Sequence, residues 1–107
     1  MNKTGYFTHP DCRLHEMGAG HPECPERLDA IDEHLQATGL RDSLDRREAD
    51  PAPLADIELA HGRMHVAALR GLSDVLRDEI DAGGPTHTQV DPDTSMNVHT
   101  WAAALRA

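Results

Sequence analysis

Large aromatic side chains are scarce in this sequence. Tyr6, Phe7 and Trp101 are the only three in 107 residues, so a core must be built mainly from smaller aliphatic groups. No apolar run approaches the roughly 18 residues that a membrane-spanning helix needs. The first seven residues do not resemble a signal peptide. We therefore expect a cytoplasmic protein with no membrane partner.

Positive charge and cysteine are also limited. Ten Lys and Arg residues stand against nineteen Asp and Glu residues, which gives a formal net charge of −9. This charge repels nucleic-acid phosphates and argues against nucleic acid as a partner, but it suits cationic ligands such as basic protein tails or polyamines. The two cysteines, Cys12 and Cys24, are too few for a disulfide framework. A reducing compartment would keep both as thiols.

Local patterns in the first 40 residues predict a strand, a long loop and a helix. We expect a short strand over residues 3–7 and then a loop over residues 9–25 that is rich in Gly, Pro and His. Proline suits the first position of a helix, so a helix is predicted to begin at Pro25. Gly39 is its expected stop, and an apolar stripe runs along it at helical spacing, formed by Leu28, Ile31 and Leu35.

The rest of the chain is predicted to be mainly helical. We expect a short strand over residues 46–50, a short helix over 54–60 and a polar loop over 86–97. A long helix is predicted over residues 63–80, with one apolar side formed by Met64, Ala68, Leu72, Val75 and Leu76. The final helix carries Trp101, Ala104 and Leu105 and has no stop signal before Ala107. We therefore expect the domain to continue past that residue.

The loop over residues 9–25 concentrates metal-binding side chains. Cys12-x-x-His15 followed by His21-x-x-Cys24 is a set of the residue types that tetrahedral zinc takes. Only five residues separate the two pairs, whereas structural zinc sites usually separate theirs by about a dozen. A small metal-binding or interaction module is therefore one hypothesis. The alternative is that the cysteines are small buried groups and the histidines bond to the backbone.

A second pair of histidines, His61 and His65, has the i, i+4 spacing at which two side chains on one helical face can share a zinc ion. No glutamate follows His61, as one does in the metalloprotease motif of that spacing. A structural use of the two histidines is favoured.

One motif indicates a family. The run from His15 to Ile31, with the core His21-Pro22-Glu23-Cys24-Pro25-Glu26-Arg27-Leu28, closely resembles the N-terminal signature of the histone deacetylase superfamily. The likeness is to its bacterial and class II-like zinc-dependent deacetylases and amidohydrolases. Three later features agree in the same order, namely Gly39-Leu40, Leu59-Ala60-His61 before a helix, and the loop Asp91 to Met96 before Thr100-Trp101. Residues 1–107 thus resemble a partial domain, about the first third of a family member, truncated at its C-terminus before the catalytic motifs.

The resemblance implies an α/β fold of the arginase–deacetylase type, with a mainly parallel sheet between helices in three layers. This segment would be helix-rich with one or two short strands. The implied activity is hydrolysis of the C–N bond of acetyl-amides, in acetyl-lysine of proteins or in acetylpolyamines. Zinc would polarise the acetyl carbonyl and activate a water. The family's zinc ligands are an Asp-x-His pair and a later Asp, and its proton-handling histidines follow a Pro-Gly-His-His motif. We expect the zinc, its ligands and the catalytic residues to lie outside this segment.

The resemblance also implies supporting roles for residues within the segment. Gly20-His21-Pro22 matches the loop whose His-Pro edge shapes the mouth of the acyl-lysine tunnel. Asp93, or Asp91 in a shifted alignment, falls where relatives place a rim residue that accepts hydrogen bonds from substrate amides, a task that suits a carboxylate. An aspartate that only forms a turn is an equal alternative. Arg27 matches an arginine near an internal channel suggested for acetate release, with a buried structural arginine as the alternative.

Because the catalytic residues are expected elsewhere, residues 1–107 alone should not deacetylate an acetyl-lysine peptide, even with added zinc. The measurement is acetate release over time against a peptide-only blank. Turnover that is abolished by substituting a residue within the segment would contradict this prediction.

Overall fold

A computed structural model describes residues 2–107. Its elements, in chain order, are β1 (Thr4–Thr8), α1 (Glu26–Ala37), β2 (Leu44–Glu48), α2 (Leu54–Ile57), α3 (Arg63–Asp81), β3 (Thr88–Asp91), β4 (Thr94–Met96) and α4 (Thr100–Arg106). Short 3-10 turns at Pro10–Arg13 and Leu40–Ser43 lie in the connections. The α/β class is confirmed, although the structure has four short strands where one or two were expected. Across residues 2–107, no helix is both long enough and apolar enough to span a membrane.

The first two strands form a parallel pair. Thr4 lies opposite Leu44 and Thr8 opposite Glu48, and the Ala49 N–H extends the ladder by donating to the Thr8 carbonyl at 2.8 Å. Parallel strands need a long crossover, which α1 supplies. Parallel sheets are normally covered on both faces, yet Phe7 of β1 is 63% exposed. One face of this pair is therefore open.

Helix α1 follows the sequence prediction closely. Pro25 stands before the first helical residue with a helical φ of −59°, and the acidic Glu26 and Asp29 lie in the first turn, where they suit the helix dipole. Gly39 follows the end of the helix with φ of 76°, a left-handed conformation that glycine adopts without strain. An ion pair between Arg13 and Asp29 joins α1 to the first 3-10 turn.

The buried face of α3 differs from the one predicted. The buried residues are Val66, Ser73 and Leu76, whereas Met64 is 87% exposed and Val75 is 54% exposed. Only Leu76 belongs to both sets. The helix has apolar side chains on more than one side, so spacing alone did not decide which side packs. Contact with α4 decides it.

Residues predicted as the polar loop 86–97 form a β-hairpin. Strands β3 and β4 pair antiparallel, with Thr88 opposite Met96 and an irregularity between Gln89 and Asp91. The Asp93 N–H donates to the Asp91 side chain at 2.9 Å, which closes the turn as aspartate commonly does. The prediction was wrong because strands of three and four mostly polar residues show too little apolar alternation to be recognised.

The chain buries little apolar surface for its size. Within residues 2–107 the buried apolar residues are Ala49, Val66, Leu76, Met96 and Ala103. The radius of gyration is 16.1 Å, against about 13 Å for a compact domain of this length. The accessible surface is 7598 Å², whereas a folded monomer of 11.7 kDa is expected to expose about 5,900 Å². The structure therefore presents a large surface that further protein could cover.

From this open surface we predict that the isolated 107-residue chain has only marginal tertiary stability. Its far-ultraviolet circular dichroism should show helix, while thermal unfolding should be broad, because few side chains are packed cooperatively. A sharp melt together with well-dispersed amide resonances would show that the prediction is wrong.

Candidate functional site

Residues 14–25, here called the His-Pro loop, leave the first 3-10 turn and lead into α1. Gly18 and Gly20 have φ of 109° and 80°, values that strain residues with a Cβ. The Glu16 carboxylate accepts from the Gly18 N–H at 2.8 Å, and the His21 N–H donates to the Gly18 carbonyl at 3.3 Å. Two glycines and a carboxylate thus set the bend that places His21 and Pro22.

The imidazole of His15 joins this loop to a distant helix. Its Nδ1 lies 2.7 Å from the Thr100 hydroxyl at the start of α4, and its Nε2 lies 3.0 Å from Glu23 Oε2 at the far end of the loop. Both ring nitrogens are therefore occupied. The His-Pro loop is held at both of its ends by one side chain.

Asn97, which follows β4, also joins the His-Pro loop to the start of α4. It is only 6% exposed, and its backbone N–H donates to the Thr100 hydroxyl at 2.9 Å. Its side-chain amide donates to the Leu14 carbonyl at 2.9 Å. The sequence analysis did not identify Asn97 or Thr100 as partners of this loop. No local pattern could have identified them, because Thr100 is 85 residues from His15 and Asn97 is 83 residues from Leu14.

Glu23 lies between a guanidinium and an imidazole. Arg27 donates to Glu23 Oε1 at 2.6 Å, one helical turn further along the chain. Burial alone would raise the pKa of Glu23, but the hydrogen bond from Arg27 and the charges of His15 and Arg27 outweigh it and leave this pKa below the ordinary 4.5. The Arg27 side chain is 50% exposed within residues 2–107, and both of its predicted roles stay predictions.

The His-Pro loop also contacts the hairpin. His87 Nε2 lies 2.5 Å from Glu16 Oε1, and His21 Nε2 lies 3.9 Å from Asp93 Oδ1. Burial alone would raise the pKa of Glu16, but bonds from the Gly18 N–H and from His87 leave it below the ordinary 4.5.

The structure thereby brings together His21 and Asp93, which the resemblance had singled out in separate segments. Asp93 is fully exposed and extends toward His21. Asp91 instead accepts a hydrogen bond within its own turn, from the Asp93 N–H. Gly20 shapes the bend through its left-handed φ, and Pro22 is exposed beside His21.

The four residues of the hypothetical metal module do not converge. Cys12 Sγ lies 3.8 Å from the Ala103 carbonyl, His15 is held by Thr100 and Glu23, and His21 Nδ1 accepts from the Glu23 N–H at 3.0 Å. Within residues 2–107, no three His, Cys, Asp or Glu side chains are grouped so as to hold a metal ion. The module hypothesis therefore has no support in the structure.

One triplet does have the Asp-x-His spacing of the family's zinc ligands, namely Asp32-Glu33-His34. It lies inside α1, where residues two apart point away from each other. The Asp32 carboxylate faces Arg41 at 3.9 Å and Arg46 at 4.0 Å. The triplet does not fit a zinc site, so no catalytic step through zinc is assigned to this segment.

Comparison with known proteins agrees with the motif. A family model described as the histone deacetylase domain matches residues 21–107. Among solved structures, "Crystal Structure of HDA15 HD domain" aligns with a TM-score of 0.79 at 24% identity, over 98% of this chain and 28% of that chain. At this identity the likeness is one of fold, and the chain spans just over a quarter of the length of that structure. Comparison with curated protein sequences gives no match.

The lowered pKa values of Glu16 and Glu23 predict that the His-Pro loop loosens in acid. A carboxyl whose pKa is depressed by folding stabilises the folded loop fully above its ordinary pKa of 4.5 and loses that contribution as the pH falls through the folded value. Amide hydrogen exchange across residues 14–25 should therefore stay constant from neutral pH to about 4.5 and accelerate below it, after correction for intrinsic exchange.

The variant Glu23→Gln should shrink this acid transition, because it removes one of the two titrating groups. Glu33→Gln, which changes an exposed carboxylate on α1, is the matched control and should leave the transition unchanged. An equal transition in wild type and Glu23→Gln would argue against the role given to Glu23.

Proposed function

Since the chain belongs to the histone deacetylase family, we propose that it forms one wall of the substrate entrance in a zinc-dependent deacetylase. The reaction of the whole protein would be hydrolysis of an acetyl-amide bond, in acetyl-lysine of proteins or in acetylpolyamines. The segment binds and orients substrate, and its catalytic partners lie outside it. A cytoplasmic location remains a prediction.

The observation that carries this proposal is the approach of His21 to Asp93. The two residues come from the His-Pro loop and from the hairpin turn, and their side chains lie 3.9 Å apart. This approach joins two elements that no local pattern connects. An entrance needs an edge made from separate loops that meet at the surface.

Asp93 has the chemistry of a rim residue. Its carboxylate is fully exposed, so two oxygens are open to accept hydrogen bonds from backbone amides of an extended substrate. The net charge of −9 adds a long-range attraction for cationic protein tails and for polyamines. Acetylpolyamines keep charged amines beside the acetylated one, and basic protein tails carry further Lys and Arg residues around an acetyl-lysine.

The His-Pro loop has the rigidity that a tunnel wall requires. His15, Asn97 and Thr100 hold its first half, and the pair of Glu23 with Arg27 holds its second half. Pro22 fixes its own φ and carries no N–H to compete with the substrate. Preorganised walls bind a substrate without the entropic cost of ordering a loop.

Arg27 is proposed to line the internal channel for acetate. In the structure it borders a cavity of about 440 Å³, together with apolar groups that include Tyr6, Leu28 and Ala104. A guanidinium in partly apolar surroundings attracts a carboxylate product.

The test is made on a polypeptide in which this segment is continuous with the family's Asp-x-His and Pro-Gly-His-His motifs. Asp93→Ala should raise the KM for an acetyl-lysine peptide about tenfold and leave kcat near wild type, because the lost bonds serve substrate binding in the ground state and the transition state alike. Steady-state kinetics on peptides with several residues on each side of the acetyl-lysine measures the effect.

Asp74→Ala, which removes an exposed carboxylate from α3, is the matched control for charge and should leave KM unchanged. Equal changes in KM from the two substitutions would show that Asp93 acts only through the net charge of the chain and not through hydrogen bonds to the substrate. An inactive parent polypeptide with zinc bound would overturn the proposed function itself.

A further inference from the structure

Among the eight histidines of this chain, His61 and His65 form an unusual pair. His9, His15, His21 and His87 each place a ring nitrogen against a carboxylate, a hydroxyl or a backbone N–H. Within residues 2–107, neither His61 nor His65 has a hydrogen bond or an ion pair from its ring. Their imidazoles are nevertheless adjacent, with ring centroids 6.1 Å apart and planes inclined at 34°.

The arrangement differs from the single helical face that the spacing suggested. Helix α3 begins at Arg63, and Gly62 precedes it with extended backbone angles, so His61 lies on the turn between α2 and α3. Its N–H donates to the Ile57 carbonyl at 3.0 Å, which fixes that turn. His65 lies in the first turn of α3. The two rings lie near each other across this short connection.

Their separation is close to that of two ligands on one metal ion. Nitrogen ligands bind zinc at about 2.0–2.1 Å, so two imidazoles at the tetrahedral angle have ring centroids roughly 5.2 Å apart. The observed 6.1 Å is somewhat wider, and rotation of the two side chains can close the difference. Both side chains are exposed, so their nitrogens can turn toward an ion without displacing packed groups.

We propose that His61 and His65 form a two-histidine site for a divalent transition metal, separate from the catalytic zinc of the family. Imidazole pairs favour copper, nickel and zinc, and copper(II) binds most tightly in the general order of affinities. Since the part of the chain described here offers no third protein ligand, the remaining coordination positions stay open to water or to a small donor ligand.

The surroundings of the pair explain how an added ligand would be held. Both histidines border a cavity of about 380 Å³, whose other walls are mainly apolar and include Ile57, Val66, Met96 and Trp101. An apolar wall beside open metal positions suits a ligand with one donor atom and an apolar body. The site is local in sequence, so it forms even where the remaining tertiary packing is weak.

Trp101 provides a direct assay, because it is the only tryptophan of the chain and lines the same cavity. Titration of the 107-residue chain with copper(II) should quench its fluorescence with one equivalent bound. His61→Ala and His65→Ala should each weaken this binding about a hundredfold, because the two-point attachment is lost. His34→Ala, which removes an exposed histidine of α1, should leave it unchanged.

A second measurement does not depend on tertiary structure or on enzymatic activity. Zinc added to wild type should shift the imidazole resonances of His61 and His65 before those of any other histidine. Shifts that begin at His15 or His21, or copper binding that survives both alanine substitutions, would overturn the proposal. Neither assay involves deacetylation. A failure of the metal-site proposal would therefore leave the proposed function standing, and a failure of the proposed function would leave the metal site standing.

Discussion

The contact on which the candidate site depends is that of the His15 imidazole with Thr100 and Glu23. One ring holds two ends of the His-Pro loop and joins them to α4, through bonds of 2.7 and 3.0 Å. A loop of this length would otherwise sample many conformations at a large entropic cost. With His15 in place, the bend at Gly18 and Gly20 has one position, and His21 is presented toward the hairpin.

Three histidine–carboxylate pairs involve this loop, one of them within it and two that join it to the hairpin region. His15 contacts Glu23, His87 contacts Glu16, and His21 approaches Asp93. Each pair is partly exposed, so none supplies much stability by itself. The pairs of His87 with Glu16 and of His21 with Asp93 hold the loop against the hairpin region, and the pair of His15 with Glu23 holds the loop's own shape.

The parallel pair β1–β2 and the extended shape have one physical origin. A sheet of two parallel strands cannot cover its own faces, and the exposed Phe7 shows where cover is missing. The family match accounts for this surface, since the chain spans 28% of the HD domain that it resembles.

Local features of the sequence were sufficient to predict much of the fold. Pro25, the acidic first turn and Gly39 determine α1 because caps and dipoles act within a few residues, and the motif at His21 to Leu28 indicated the family. The hairpin was missed because its short polar strands carry no periodic signal. The prediction of the buried face of α3 was wrong because apolar residues occur at helical spacing on two faces of that helix.

The contacts of the candidate site could be identified only from the tertiary structure. Its bonds join His15 to Thr100 and His21 to Asp93, residues that are far apart in the chain. Sequence alone determined which side chains were chemically capable of forming a substrate rim, since residue type sets charge and hydrogen-bonding capacity. Only the folded chain decided which of them meet, because hydrogen bonds and ion pairs act over a few ångströms that no spacing along the sequence specifies.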